Sequence, residues 1–203
     1  SISHRAAIIG ALTGGEVKIY NYSQGMDCQS TLNVLKSLGI EVVYYSKHNL
    51  KLISKCFKKP DIILDAGNSG TTIRLMTGIL AGQNFDSVIT GDSSLIKRPM
   101  ARIINPLRQM GAILSANDNN TRAPISIKGT ELSGINYNSP IASAQVKSCI
   151  VLAGLFADGE TVVEEPFQSR DHTERLLKYM NADITAENRV VAVKKSKPAP
   201  MPV

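Results

Sequence analysis

One phrase recurs three times along the 203 residues and limits the possible fold more than anything else in them. Leu35-Lys36-Ser37-Leu38-Gly39-Ile40, Leu107-Arg108-Gln109-Met110-Gly111-Ala112 and Leu177-Lys178-Tyr179-Met180-Asn181-Ala182 each read as a helix end, a Gly or Asn cap, then a strand. Their even spacing, from residues 35, 107 and 177, points to three copies of one supersecondary unit. A second marker travels with the phrase. Upstream of each copy stands a small or hydroxylated helix start carrying a basic residue, then an apolar helix, a glycine and a strand. In the first copy these are Ser1 to Arg5, a helix to about 13, Gly14-Gly15 and a strand at 16–20. In the second they are Ser69 to Arg74, a helix to about 81, Gly82 and a strand at 85–90. In the third they are Ser143 to Lys147, a helix to about 157, Gly159 and a strand at 161–165. Strands at 40–45, 112–115 and 183–185 are expected to pair with closing strands at 50–54, 125–128 and 190–193.

The fold class is therefore α/β: three repeated βαβαββ-type units around a buried helical core, with sheets outside. The units fall at about 1–58, 59–130 and 131–197, within one domain of residues 1–197. The first helices of the copies are apolar nearly all round (6–12, 75–80 and 149–156), which assigns them to the middle. Pro106 is expected to kink its helix. The basic, Pro-rich end after Lys194 reads as unable to continue a sheet, with 198–203 a linker toward a second domain.

Residues 62–82 show what such a helix start offers. Ile62-Ile63-Leu64 is short and β-branched enough for a buried strand. Gly67, Asn68, Ser69, Gly70, Thr71 and Thr72 follow, and Ile73, Leu75, Met76, Ile79 and Leu80 then recur at helical spacing. A strand, a Gly-rich turn and a helix N-terminus aim free N–H groups at one spot, at the positive end of the helix dipole. That is a cradle for a phosphate or a carboxylate, although the same residues also suit a plain tight turn capped by Ser69. Neither Gly-Lys-Ser/Thr nor G-x-G-x-x-G is present, which disfavours the familiar nucleotide cradles. Three such starts pointing one way, with Arg5, Arg74 and Lys147 beside them, predict a single anion site.

The net charge of +6 allows an anionic partner. Aromatics are only 5% and there is no Trp, so spread basic residues suit small anions better than nucleic acid. No apolar run is long enough to span a membrane. Cys28, Cys56 and Cys149 are odd in number and scattered, as expected of reduced thiols in the cytoplasm, and form no metal-ligand spacing with His4, His48 and His172.

Five ordered motifs carry a resemblance. Asp65-Ala66-Gly67-Asn68-Ser69-Gly70-Thr71-Thr72-Ile73-Arg74 resembles a signature of the 5-enolpyruvylshikimate-3-phosphate synthase family. So do Gly91-Asp92-Ser93-Ser94-Leu95-Ile96-Lys97-Arg98-Pro99-Met100, Ser143-Ala144-Gln145-Val146-Lys147-Ser148 and Ser169-Arg170-Asp171-His172-Thr173-Glu174, the last in the wording of the second class of these enzymes. Ser1-Ile2-Ser3-His4-Arg5 looks like the rest of the family's Lys-Ser-x-Ser-x-Arg motif. The resemblance implies transfer of the enolpyruvyl group of phosphoenolpyruvate to the 5-hydroxyl of shikimate 3-phosphate, with no metal or organic cofactor. It also implies roles. Ser1 and Arg5 hold the shikimate carboxylate; Ser143, Ala144 and Ser169 grip the 3-phosphate; Arg170 contacts the same substrate. Gln145 lies over the ring between both substrates, and Gly70 and Arg98 face phosphoenolpyruvate, where glyphosate, the family's inhibitor, also sits. Asn68 and Thr71 shape the loop, and Arg74 becomes mainly structural.

The family's Lys before Ser1 and its second domain, the source of the proton-transfer acids, are not in this sequence. The resemblance therefore implies one excised domain, inactive alone. A non-catalytic module for another phosphorylated metabolite stays open as the alternative. So does a relative of UDP-N-acetylglucosamine enolpyruvyl transferase, although the Cys-bearing loop that such a relative needs in the second copy is absent.

Overall fold

The computed structural model describes residues 1–203 throughout. The first copy contains α1 (Ile2–Leu12), β1 (Glu16–Ile19), α2 (Met26–Ser37), β2 (Glu41–Tyr44) and β3 (Leu50–Ile53). The second contains β4 (Leu64–Asp65), α3 (Gly70–Ala81), β5 (Ser87–Thr90), α4 (Ala101–Gln109), β6 (Ile113–Ala116), a single turn α5 (Asn117–Asn120) with left-handed backbone at Asp118, Asn119 and Asn120, and β7 (Arg122–Lys128). The third contains β8 (Asn136–Asn138), α6 (Ala144–Gly154), β9 (Glu160–Glu164), α7 (His172–Tyr179), β10 (Ile184–Glu187) and β11 (Val190–Lys194).

Each copy makes its own sheet, ordered β1-β3-β2, β4-β5-β7-β6 and β10-β11-β9-β8. In the second and third copies a leading strand runs parallel to the next one, β4 to β5 and β8 to β9, and every other pair is antiparallel. The repeated phrase does in space what its residues dictate. Gly39, Gly111 and Asn181 hold φ of 84°, 91° and 57°, the left-handed turn that ends α2, α4 and α7 and starts a strand. The helices α1, α3 and α6 are buried on nearly all sides and carry much of one continuous core. Close approach of α3 to α6 depends on Gly78, where an added Cβ would run into the Cys149 carbonyl.

Three differences from the sequence pattern stand out. Ile62 and Ile63 are 66% and 58% exposed, because pairing to β5 begins only at Leu64 and the run before it lies outside the sheet. The polar strand β8 and the turn α5 carry no apolar period and escaped the sequence reading. Lastly, the Pro-rich end does join a sheet. Val203 accepts from the Tyr20 amide at 2.8 Å and donates to the Lys18 carbonyl at 2.9 Å, taking beside β1 the parallel place that β4 and β8 take beside β5 and β9. Prolines at 198, 200 and 202 leave the amides of Ala199 and Val203 free, and Ala199 donates to the Met180 carbonyl.

Candidate functional site

The N-terminal turns of α1, α3 and α6 are tied to one another by side chains, one link for each pair of copies. Between the first and second, His4 Nε2 lies 3.1 Å from Ser69 Oγ, the cap of α3. Between the second and third, Gln145 Nε2 donates to Thr71 Oγ1 at 3.1 Å while its Oε1 accepts from Arg74 Nη1 at 2.7 Å. Between the third and first, Arg5 Nη2 donates to Ser148 Oγ at 3.1 Å and Nε to Thr173 Oγ1 at 2.7 Å. The triangle is closed. Three positive helix ends are held at one face.

Arg5 is buried, and the remaining arm of its guanidinium reaches Ser1 Oγ at 2.8 Å. Burial lowers its pKa, with Glu174 opposing and Arg170 adding to the drop, yet an arginine remains cationic. His4 Nε2 meets both the Ser69 hydroxyl, which accepts from the Thr72 amide and hydroxyl, and the Asp27 carboxylate at 3.4 Å. Burial, then the charge of the N-terminal amine, pulls the His4 pKa down, against the pull of Asp27.

Arg74 serves positioning: it holds Gln145 and bonds the carbonyls of Gly70 and Pro99. Arg98 is exposed, and the turn bearing it is fixed by Asp92, which takes three bonds from Ser94 and Leu95. That turn is tied to the glycine loop by Asp92 N–H to the Gly67 carbonyl at 2.8 Å. A Cβ on Gly70 would come within 3.1 Å of Arg98 Nη1, so the two residues are neighbours. Asn68 and Arg170 are exposed, and Asp65 accepts from the Gly67 amide to set the loop.

Lys147 is not a free anion receptor. Its ammonium lies 2.8 Å from Glu165 and 2.7 Å from Glu174, and all three side chains are buried. Burial opposes the charge on Lys147, but bonds to the two carboxylates outweigh it and hold the pKa above the ordinary lysine value. Burial likewise works to raise Glu165, while Lys147 and Ser169 outweigh it and hold the carboxyl below its usual range. Glu165 then organises two loops. Oε1 accepts the Ser143 amide at 2.9 Å, and Oε2 accepts the Ser169 hydroxyl at 2.8 Å and its amide at 3.3 Å. Ser143 Oγ caps α6 by accepting the Val146 amide, and Ala144 is the first residue of that helix.

Of Arg5, Arg98, Gln145 and Ser169, Arg5 alone lines one of the five principal cavities. Arg5 lines a space of about 280 Å³ with His172, Tyr179 and Val203, and a cavity of about 470 Å³ lies against the second sheet beside Ile62, Ile63 and Ile113. Folding also gathers His4, Asp27 and Cys28 within 4.8 Å, a grouping invisible as spacing in the sequence. Their donors already meet one another, Cys28 Sγ at His4 Nδ1 and Asp27 toward Nε2.

Residues 1–199 match the profile of EPSP synthase, 3-phosphoshikimate 1-carboxyvinyltransferase. The chain belongs to the EPSP synthase family. A 3-phosphoshikimate 1-carboxyvinyltransferase of Petrotoga mobilis is 52% identical over 198 residues, covering 96% of this chain and 46% of the relative. One from Pelotomaculum thermopropionicum is 48% identical over 197 residues, with the same coverage. The solved EPSP synthase of Acinetobacter baumannii superposes with a TM-score of 0.96 at 40% identity, over all of this chain and 46% of that one. The chain thus spans about half the length of the EPSP synthases it matches. No helix is long and apolar enough to cross a membrane.

Proposed function

We propose that this chain is the shikimate 3-phosphate-binding part of a cytoplasmic enzyme that moves the enolpyruvyl group of phosphoenolpyruvate onto the 5-hydroxyl of that substrate. Ser1 and Arg5 take the shikimate carboxylate, with Arg5 presented by its bonds to Ser148 and Thr173. The 3-phosphate meets the N-terminus of α6 at Ser143 and Ala144, together with Ser169 and Arg170. Gln145, oriented by Thr71 and Arg74, sits between the substrates. Gly70 and Arg98 receive phosphoenolpyruvate, and glyphosate in its place. No metal or cofactor is required for the addition and elimination that this transfer involves.

The chemistry needs cations for the phosphate and carboxylate groups and an acid/base pair for proton transfer. Cations and helix ends are supplied here. The carboxylates beside the phosphate donors, Glu165 and Glu174, are buried against Lys147 and not free to shuttle protons. The chain therefore binds substrate but needs the remaining half of its longer relatives, as a second domain, for turnover. The observation that carries this reading is the joining of the Ser143 and Ser169 loops on buried Glu165, with Arg5 held against α6 and α7 by Ser148 and Thr173. Titrating shikimate 3-phosphate into the ¹⁵N-labelled protein tests it. Shifts are expected at the Ser143, Gln145 and Ser169 amides; silence there at millimolar ligand, or turnover by the chain alone, contradicts it.

A further inference from the structure

We infer that Glu165 is the positioning residue of the phosphate subsite, and that it decides which donors a phosphate can use. The inference rests on the substrate assignment above and extends it to a residue that touches no ligand. Glu165 directly follows strand β9 and is 1% exposed, on the inward side, where Lys147 neutralises it. Its two oxygens take donors from both walls of the subsite: the Ser143 amide on one, the Ser169 amide and hydroxyl on the other. A carboxylate is the one side chain of this size that accepts through both ends at once and donates through neither.

Two consequences follow. The loop before α6 and the loop before α7 are clamped to a common anchor, which fixes their separation before any ligand arrives. The donors turned inward toward Glu165 are also spent. The Ser143 amide cannot serve an incoming phosphate, and the Ser169 hydroxyl, with a single proton, serves either Glu165 or the ligand. What remains pointed outward is the Ser143 hydroxyl, which only accepts from the Val146 amide, and the free amides of the first turn of α6. Glu165 therefore works as an internal stand-in for an anion. It fills the inner donors and leaves the outer ones in register. A bare carboxylate so close to a phosphate would repel it, but Lys147 and Arg5 balance Glu165 and Glu174.

Glu165→Gln tests this. The amide keeps the volume but has one acceptor oxygen, so either Ser143 or the Ser169–Lys147 side faces an NH₂ group. Shikimate 3-phosphate and unphosphorylated shikimate are titrated in parallel into the wild-type chain and the variant by calorimetry. The expected result is about a tenfold loss of affinity for shikimate 3-phosphate with less than about a twofold change for shikimate. Parallel loss for both ligands, or no loss for either, overturns the positioning role. Should the variant fail to fold, Glu165→Asp and Ser169→Ala carry the test. In the double variant the two losses must fall short of adding, because Glu165 acts through Ser169; strict additivity overturns the inference. A wild-type chain that binds neither ligand sinks the substrate assignment instead, which keeps the two failures apart.

Discussion

Replacing Lys147 by methionine isolates the buried charge cluster. The side chain is 4% exposed, against 1% for Glu165 and 3% for Glu174, so no water is at hand to screen what is left behind. Methionine approximates the lysine stem, and the loss is therefore electrostatic rather than a cavity. Removing one partner of a buried ion pair costs about 3–5 kcal/mol, because the other charge stays buried and uncompensated. Two carboxylates are stranded here, but Arg5 remains beside Glu174 and limits the penalty. At roughly 2–4 °C per kcal/mol for a chain of this size, melting falls by about 6–20 °C near neutral pH.

The pH dependence identifies the cause. In the native protein the Glu165 carboxyl is held below its ordinary range, so its contribution is present above the unfolded carboxylate value and lost as pH falls through the folded one. In the variant Glu165 keeps its burial and loses its cation, which raises its pKa and makes the folded state take up a proton in acid. The gap between the two proteins is therefore widest at neutral pH and narrows toward about pH 5. The raised Lys147 pKa adds stability that is present below the unfolded lysine value and lost only in strong alkali, outside that window. Thermal melts followed by far-UV circular dichroism at both pH values provide the measurement. A neutral-pH gap under about 1 kcal/mol, or one that widens in acid, refutes the cluster as an electrostatic unit.

Other perturbations probe other joints. Gly78→Ala drives a methyl group into the Cys149 carbonyl between α3 and α6, and costs about 1–3 kcal/mol in urea unfolding; a neutral result contradicts the close helix approach. Arg5→Lys keeps the charge but not the fork that reaches Ser1, Ser148 and Thr173, so shikimate affinity drops about tenfold by calorimetry. Deleting residues 199–203 removes the chain that flanks β1 on the side away from β3, so the Tyr20 amide, bonded at 2.8 Å to Val203, loses its protection in hydrogen exchange. Gly70→Ala places a methyl 2.8 Å from Arg74 Nη1 and 3.1 Å from Arg98 Nη1. Phosphoenolpyruvate and glyphosate affinities, measured with shikimate 3-phosphate present, fall several-fold, while that of shikimate 3-phosphate itself stays within about twofold.

The repeats were readable because a left-handed cap restricts residue type: Gly39, Gly111 and Asn181 announce themselves wherever they stand. Ile62 and Ile63 misled for the opposite reason. β-branched residues favour strands, but nothing in them says whether a second layer covers their face. The tail misled because proline was read as a bar to pairing, when an edge strand needs only every second amide. The charge cluster is the instructive miss. Thr161, Val163 and Glu165 are buried in strict alternation, which places Glu165 inward on the same period as a valine. Glu174 shares the buried side of α7 with Leu177, three residues on. Lys147 is buried inside α6, next to Val146 and one turn before Ile150 and Val151. Each is an inward charge by local pattern alone, and an inward charge must find an opposite one. Two acids and one base at inward positions of a single repeat therefore predict their own meeting. The residue that completes the balance, Arg5, comes from another copy, and only the packing of α1 beside α7 brings it there.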